Sequence, residues 1–271
     1  AYLLSLLSWL AYADGDVAVT QAAAWGLTIG PNDVIDVDTP YFAGMSGNTQ
    51  ALILSNANTV FVAFRGSTDE SYFQDWLDND LDVAPQPAGN WGSGVVLHHG
   101  FAEAMAIAYP AVKARIAPHI AAGKKLWITG HSLGGAIAKL TAYKLRHEDN
   151  IFTQGVHVFG APPVGNTNWV TMYNSKVPST YRWNIEHDPI PLIMPPLAFA
   201  HVGVRNNLYT NGEVMLGDTL VFVYVPSPAS IENLAVTHMS YWCRLHEEVG
   251  QHVPNAALPP PPELDMTLCG G

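Results

Sequence analysis

The sequence predicts an α/β protein with a mostly parallel central sheet and helices on both faces. Three observations predict it. Short apolar, β-branched segments alternate with longer helical ones. A glycine-rich turn joins one such strand directly to one such helix. No internal repeat or shift in composition divides the chain, so residues 1–271 read as one domain. The elements follow in order. In AYLLSLLSWL, Leu3, Leu6, Leu7 and Leu10 share a stripe, the pattern of a buried amphipathic helix rather than a membrane anchor. Thr59 to Phe64 (TVFVAF) reads as a buried strand ending at Arg65-Gly66-Ser67. Phe101 to Ile116 reads as a helix, Lys125 to Thr129 (KLWIT) as a strand, and Ala136 to Arg146 as a helix with Ile137 and Leu140 on its apolar stripe. Gly155 to Phe159 and Tyr181 to Ile185 are the next strands. The run Pro259 to Pro262 is too short for a domain linker and leads an extended tail over about 254–271.

Composition narrows the function. The chain has 271 residues, 48% of them hydrophobic and 13% charged, which places it among globular proteins rather than disordered ones. Its net charge is -11, from 12 basic and 23 acidic residues, with no basic run. That argues against nucleic-acid binding and against an anionic membrane surface. No apolar run reaches the roughly 18 residues that span a bilayer, so stable membrane insertion is not expected. The first residue is not Met and no basic segment precedes the apolar one, which suggests a processed, secreted chain. Cys243 and Cys269 lie outside any metal-binding spacing; they are either a disulfide tying down the tail or two separate thiols. No metal or organic cofactor is predicted.

The chemistry starts at Ile128 to Ala136, ITGHSLGGA, which contains a G-x-S-x-G pentapeptide. Such a pentapeptide between a strand and a helix holds its serine on a sharp, strained turn with the hydroxyl exposed. KLWIT and AIAKLTAYKLR supply that context, and Gly130, Gly134, Gly135 and Ala136 let the helix approach the strand. The alternative is a glycine-rich turn with no chemistry. A serine nucleophile needs a histidine to take its proton and an acid to orient that histidine. Around such elbows the chain order is serine, acid, histidine. Asp188 follows the strand YRWNI in the loop HDPIP, where two prolines stiffen the backbone. Asp149, in HEDN after a helix, reads as solvated, Asp218 sits in the turn LGDT, and Glu186 would point to the other side of the strand. Among histidines His187 abuts Asp188 and cannot easily reach Ser132. The contest is between His201 and His238. His201, in apolar LAFAHVG, reads as a core histidine bonded to backbone, whereas His238, in AVTHMSYW, leaves room for the chain to return to the site.

Taken together, the motifs resemble the class 3 lipases, the filamentous-fungal triacylglycerol lipase type within the α/β-hydrolase fold. The resemblance runs from about Val60 to Trp242. TVFVAFRGS is similar to that family's strand ending in R-G-[ST], HHGF at His98 to Phe101 to a second element, and TGHSLGGA to its nucleophile elbow. VFGAPPVGN resembles its next strand and turn, HDPIP its acid loop, and HMSYW its histidine segment. The resemblance implies Ser132 as nucleophile, Asp188 as acid and His238 as base, with a structural histidine at His201. Pro163 stands where the family often carries Arg, so a polar anchor near the elbow is expected to be absent.

Acyl transfer needs hydrogen-bond donors where negative charge develops. The backbone N–H of Leu133 is one, at the start of the helix. The resemblance assigns the second to Ser67, which also suits the cap of a following helix. In TDESYFQDWLDNDLD, Tyr72, Phe73, Trp76 and Leu77 form one apolar face. It is either a surface helix packed on the core or the helical lid that the family places there, over about 69–82. A lid would cover Ser132 and open at an oil–water interface. The reading is therefore a secreted triacylglycerol lipase acting on lipid esters. A feruloyl-type esterase or phospholipase A1 shares its chemistry, and an inactive binding scaffold is the rival of another class.

Overall fold

A computed structural model of the chain describes residues 1–40, 46–67, 85–185, 188–192, 199–208 and 214–216, together with 238, 240, 241, 243 and 245. Helix α1 is Tyr2–Leu10 and α2 is Gly15–Ala24. Strands β1 (Val34–Pro40), β2 (Ser46–Ser55) and β3 (Thr59–Phe64) follow. Next come β4 (Pro85–Pro87), β5 (Val96–His98), α3 (His99–Ala121), β6 (Lys125–His131) and α4 (Leu133–Glu148). The chain continues with β7 (Thr153–Phe159), α5 (Thr167–Lys176), β8 (Thr180–Ile185), β9 (Val204–Leu208) and β10 (Val214–Leu216).

Among the described residues, eight strands form one sheet in the order β1-β2-β3-β6-β7-β8-β9-β10, and β4 pairs with β5 separately. The steps β3–β6, β6–β7, β7–β8 and β8–β9 are parallel, with antiparallel strands at both ends. The predicted mostly parallel sheet is therefore present. Successive residues of a strand point to opposite faces, and both faces here are covered. Val60, Val62, Phe64, Leu126, Ile128, Val156 and Val158 pack with α3 and α4. Phe61, Ala63, Trp127, Phe159 and Trp183 face α1. This double burial explains why TVFVAF is an unbroken apolar run with no alternation.

In α1, Leu6, Leu7 and Leu10 are buried as expected, but Leu4 is buried and Leu3 only partly so. The buried arc is wider than the predicted stripe, because Ser5 and Ser8 turn inward too and bond the carbonyls of Tyr2 and Ser5. The helix is also stitched to the sheet: Thr129 of β6 donates its hydroxyl to the Leu4 carbonyl at 2.9 Å.

Helix α4 lies unusually close to the sheet. A Cβ on Gly134 would sit 2.3 Å from the Phe64 carbonyl oxygen and 2.8 Å from that of Arg65. No side chain fits there, so the first turn of α4 rests directly on the end of β3. Gly134→Ala should therefore cost about 2–3 kcal/mol, seen as a fall of about 4–12 °C in the thermal midpoint. An unchanged midpoint would mean that helix and strand separate easily.

Candidate active site

The parallel strands β3, β6, β7 and β8 end on the same edge of the sheet, and the chain beyond each end contributes to one cluster. Beyond β6 comes Ser132, with φ 54° and ψ -127°. That left-handed backbone is costly for a residue with a Cβ. It is held by the Ser132 N–H donating to the Phe159 carbonyl at 2.9 Å, and by Gly135 N–H returning to the Ser132 carbonyl at 3.0 Å. Leu133 opens α4, where the first amides have no partner within the helix. Beyond β3, the position of Gly66 lies over the elbow: a Cβ there would be 3.2 Å from the Ser132 Cβ and 2.8 Å from the His131 carbonyl oxygen. Ser67, the next residue, is exposed.

Beyond β8 the chain turns into a short 3₁₀ helix, Ile190–Leu192. Asp188 is buried at this turn, with its N–H donating to the Ile185 carbonyl at 3.2 Å. Its carboxylate accepts from three donors. His238 Nδ1 lies 3.0 Å from each oxygen. The Ile190 N–H donates to Oδ1 at 3.0 Å and the Tyr241 hydroxyl to Oδ2 at 2.5 Å. Since the carboxylate takes the Nδ1 proton, the Nε2 of a neutral His238 presents a lone pair, the state a general base requires. Beyond β7, Gly160 has φ +55°, and a Cβ on it would be 2.8 Å from the Asp188 Oδ2, the His238 Cε1 and a Tyr241 ring carbon. Asp188 and His238 close over this glycine, so the pair sits one residue from the carbonyl that holds Ser132.

The structure thus brings Ser132, Asp188 and His238 to one edge, with Leu133 and Ser67 adjoining them. Tyr72, Phe73, Trp76 and Leu77 lie outside the described residues, as do His187, Glu186, Asp218 and the 254–271 tail. His201 is held elsewhere: its Nε2 donates to the Pro191 carbonyl at 2.7 Å, which braces the turn after Asp188. Asp149 differs from its solvated expectation. It caps α4 and pairs with the Lys113 ammonium and the Tyr109 hydroxyl, because the end of α4 packs against α3. The expected loss of a polar anchor at Pro163 is also corrected. Lys139, fully buried, donates to the Pro162 carbonyl at 2.6 Å and ties that turn to α4. Burial pushes its ammonium well below the usual lysine range, with the Arg182 charge adding to this. Cys243 is buried and disulfide-bonded; Cys269, the chain's other cysteine, lies outside the described residues.

Tyr241 was not singled out by sequence, although its place three residues after His238 in HMSY carried the signal: that spacing puts both on one side of a helical turn. Its hydroxyl accepts the Ile185 N–H at 3.0 Å while donating to Asp188. Tyr241→Phe leaves that buried N–H without an acceptor and should lower stability by about 1–3 kcal/mol in denaturant unfolding. No loss would mean that the hydroxyl bridges nothing.

Several histidines are buried neutral. Burial lowers His98 to about 4 and His157 to about 3, and holds His131 and His201 well below the usual histidine range. Unfolded, each binds a proton near pH 6.5. Below that pH the unfolded chain carries more protons than the folded one, so stability falls as pH falls. The thermal midpoint should decline from about pH 6.5 towards 4, the folded value of His98. A midpoint that rises over that window would contradict neutral burial.

Comparison with known proteins places this geometry. The family description "Lipase (class 3)" matches residues 61–198. The secreted mono- and diacylglycerol lipase 1 of Fusarium solani is 32% identical over 148 residues, 52% of this chain and 41% of its own length. The chain thus spans under half the length of that curated relative. A solved structure of a mutant MDLA from Penicillium cyclopium superposes with a TM-score of 0.65 at 18% identity, over 91% of this chain and 97% of that one. A triacylglycerol lipase whose catalytic centre is a serine protease triad superposes with a TM-score of 0.62 at 24% identity, over 79% and 81%.

Proposed function

Since the chain belongs to the class 3 lipase family and has the α/β-hydrolase fold, we propose that it is a secreted serine hydrolase of carboxylic esters, with acylglycerols as substrates. The observation that carries the reading is the buried Asp188–His238 pair, 3.0 Å from Nδ1 to each carboxylate oxygen, beside a serine held at positive φ.

Ser132 attacks the ester carbonyl while His238 Nε2 takes its proton, and the same imidazole then protonates the leaving alcohol. Asp188 holds the Nδ1–H tautomer and stabilises the imidazolium. Its bonds from Ile190 and Tyr241 keep the carboxylate fixed while that charge comes and goes. The tetrahedral oxyanion is received by the N–H of Leu133 and by Ser67. The position of Gly66 against Ser132 supports Ser67's part in this, and removing such a donor typically costs about 10²–10³ in rate. Water, activated by His238, releases the fatty acid. The names of the relatives support lipid esters as the substrate class. Residues 69–82 would form the lid, with Tyr72, Phe73, Trp76 and Leu77 as its lipid-facing side, on a single domain over 1–271.

The test is the hydrolysis rate of a short-chain triglyceride carried through its solubility limit, with Ser132→Ala alongside. A rate that jumps once droplets form, and falls by at least about 10³ in the variant, is the expected result. A smooth saturating curve that still depends on Ser132 would remove the interfacial lid and leave a soluble-ester hydrolase. Equal rates for both proteins would defeat the reading.

A further inference from the structure

One group of polar contacts beside the elbow lies outside the triad. His131, the residue before Ser132, is buried, and its Nε2 lies 2.7 Å from the main-chain carbonyl oxygen of His238. A carbonyl only accepts, so Nε2 carries the proton and Nδ1 presents its lone pair. The Tyr12 hydroxyl, 2.8 Å from that Nδ1, is therefore the donor. Its oxygen in turn accepts from the Gly66 N–H. The approach is close: a Cβ on Gly66 would lie 2.1 Å from the Tyr12 hydroxyl.

The directions are fixed from both ends. Gly66 N–H donates to Tyr12, Tyr12 O–H donates to His131, and His131 N–H donates to the carbonyl of His238. Both side chains keep their protons in place. Burial raises the Tyr12 hydroxyl well above the usual tyrosine range and lowers the His131 imidazole well below the usual histidine range. The rings are confined as well, with His131 between Tyr12, Trp9, Tyr241 and the ring of His238, whose centroid is 4.4 Å away.

One phenol from the N-terminal segment, 49 residues before the family match begins at residue 61, thus touches three parts of the machinery. It reaches the loop that carries Ser67, the residue that precedes the nucleophile and, through it, the backbone of the base. We propose that Tyr12 is a positioning residue for ester hydrolysis: through His131 it fixes where His238 stands, and through Gly66 it holds the Ser67 loop over the elbow. This rests on the hydrolase reading above. Misplacing reacting groups by about 1 Å can cost 10²-fold in rate, so a fixed network at this point has kinetic weight.

Two measurements test it. Tyr12→Phe removes the hydroxyl and keeps the ring beside Trp9, whose centroid is 5.4 Å away. On a water-soluble p-nitrophenyl butyrate, which needs no interface, kcat should fall about 10-fold to 100-fold with KM within about twofold. The rate of Ser132 phosphonylation by an alkyl phosphonate should fall by the same factor. Trp9→Phe, which loosens the same packing and keeps the hydroxyl, should lower the thermal midpoint and leave kcat unchanged. Equal kcat in the parent and Tyr12→Phe would overturn the proposal. So would equal kcat losses in the Tyr12 and Trp9 variants. The second measurement needs neither variant nor substrate. Nitrogen-15 NMR of His131 in the unaltered protein should show the Nε2–H tautomer with a hydrogen-bonded Nδ1, and an Nδ1–H tautomer would overturn the proposal. A parent that neither hydrolyses the ester nor takes up the phosphonate would instead defeat the hydrolase reading.

Discussion

The contact between the first turn of α4 and the end of β3 is the constraint on which the site depends. Gly134 rests against the Phe64 carbonyl with no room for a side chain. Because helix and strand meet this closely, the single residue between β6 and α4 must make the turn. Ser132 takes up the turn at positive φ. The same approach brings the start of α4 level with the chain leaving β3, so Ser132, Leu133 and the segment Gly66-Ser67 meet at one point. A bulkier first turn would separate them, and the strain at Ser132 would have nothing to hold it.

Asp188 and His238 come from a different direction. Asp188 leaves β8, two strands from β6, and His238 returns from fifty residues later in the chain. Gly160 at the end of β7 lets them approach the elbow between those strands. Tyr241 then locks the pair by bridging Asp188 to the backbone of Ile185. A buried carboxylate is costly unless its oxygens are satisfied. Here every bond it accepts also fixes the direction in which His238 points.

Much of this was legible in the sequence because local chemistry carries it. The strand TVFVAF was found with its observed bounds, since doubly buried parallel strands have few other sequence readings. The elbow was legible because a strained serine between a strand and a helix demands small residues at fixed offsets. The first turn of α4 and the far ends of α3 fell outside the predicted ranges, because glycine and proline lower local helix propensity and tertiary packing overrides it. Lys139 read as an ordinary polar position on a helix. Only the fold shows it buried, with the Pro162 carbonyl as its partner.

By itself the sequence indicated the parallel strands β3, β6, β7 and β8 and the elbow, because each is written in residues close together, whereas β1, β2, β9 and β10 emerged only with the fold. The tertiary structure alone decided which side chains surround them. Tyr12, His131 and Gly66 meet across gaps of 119 and 54 residues, and nothing in their local spacing announces it. Hydrogen bonds between distant segments depend on where the backbone arrives, and that is set by packing across the whole sheet rather than by any stretch of chain.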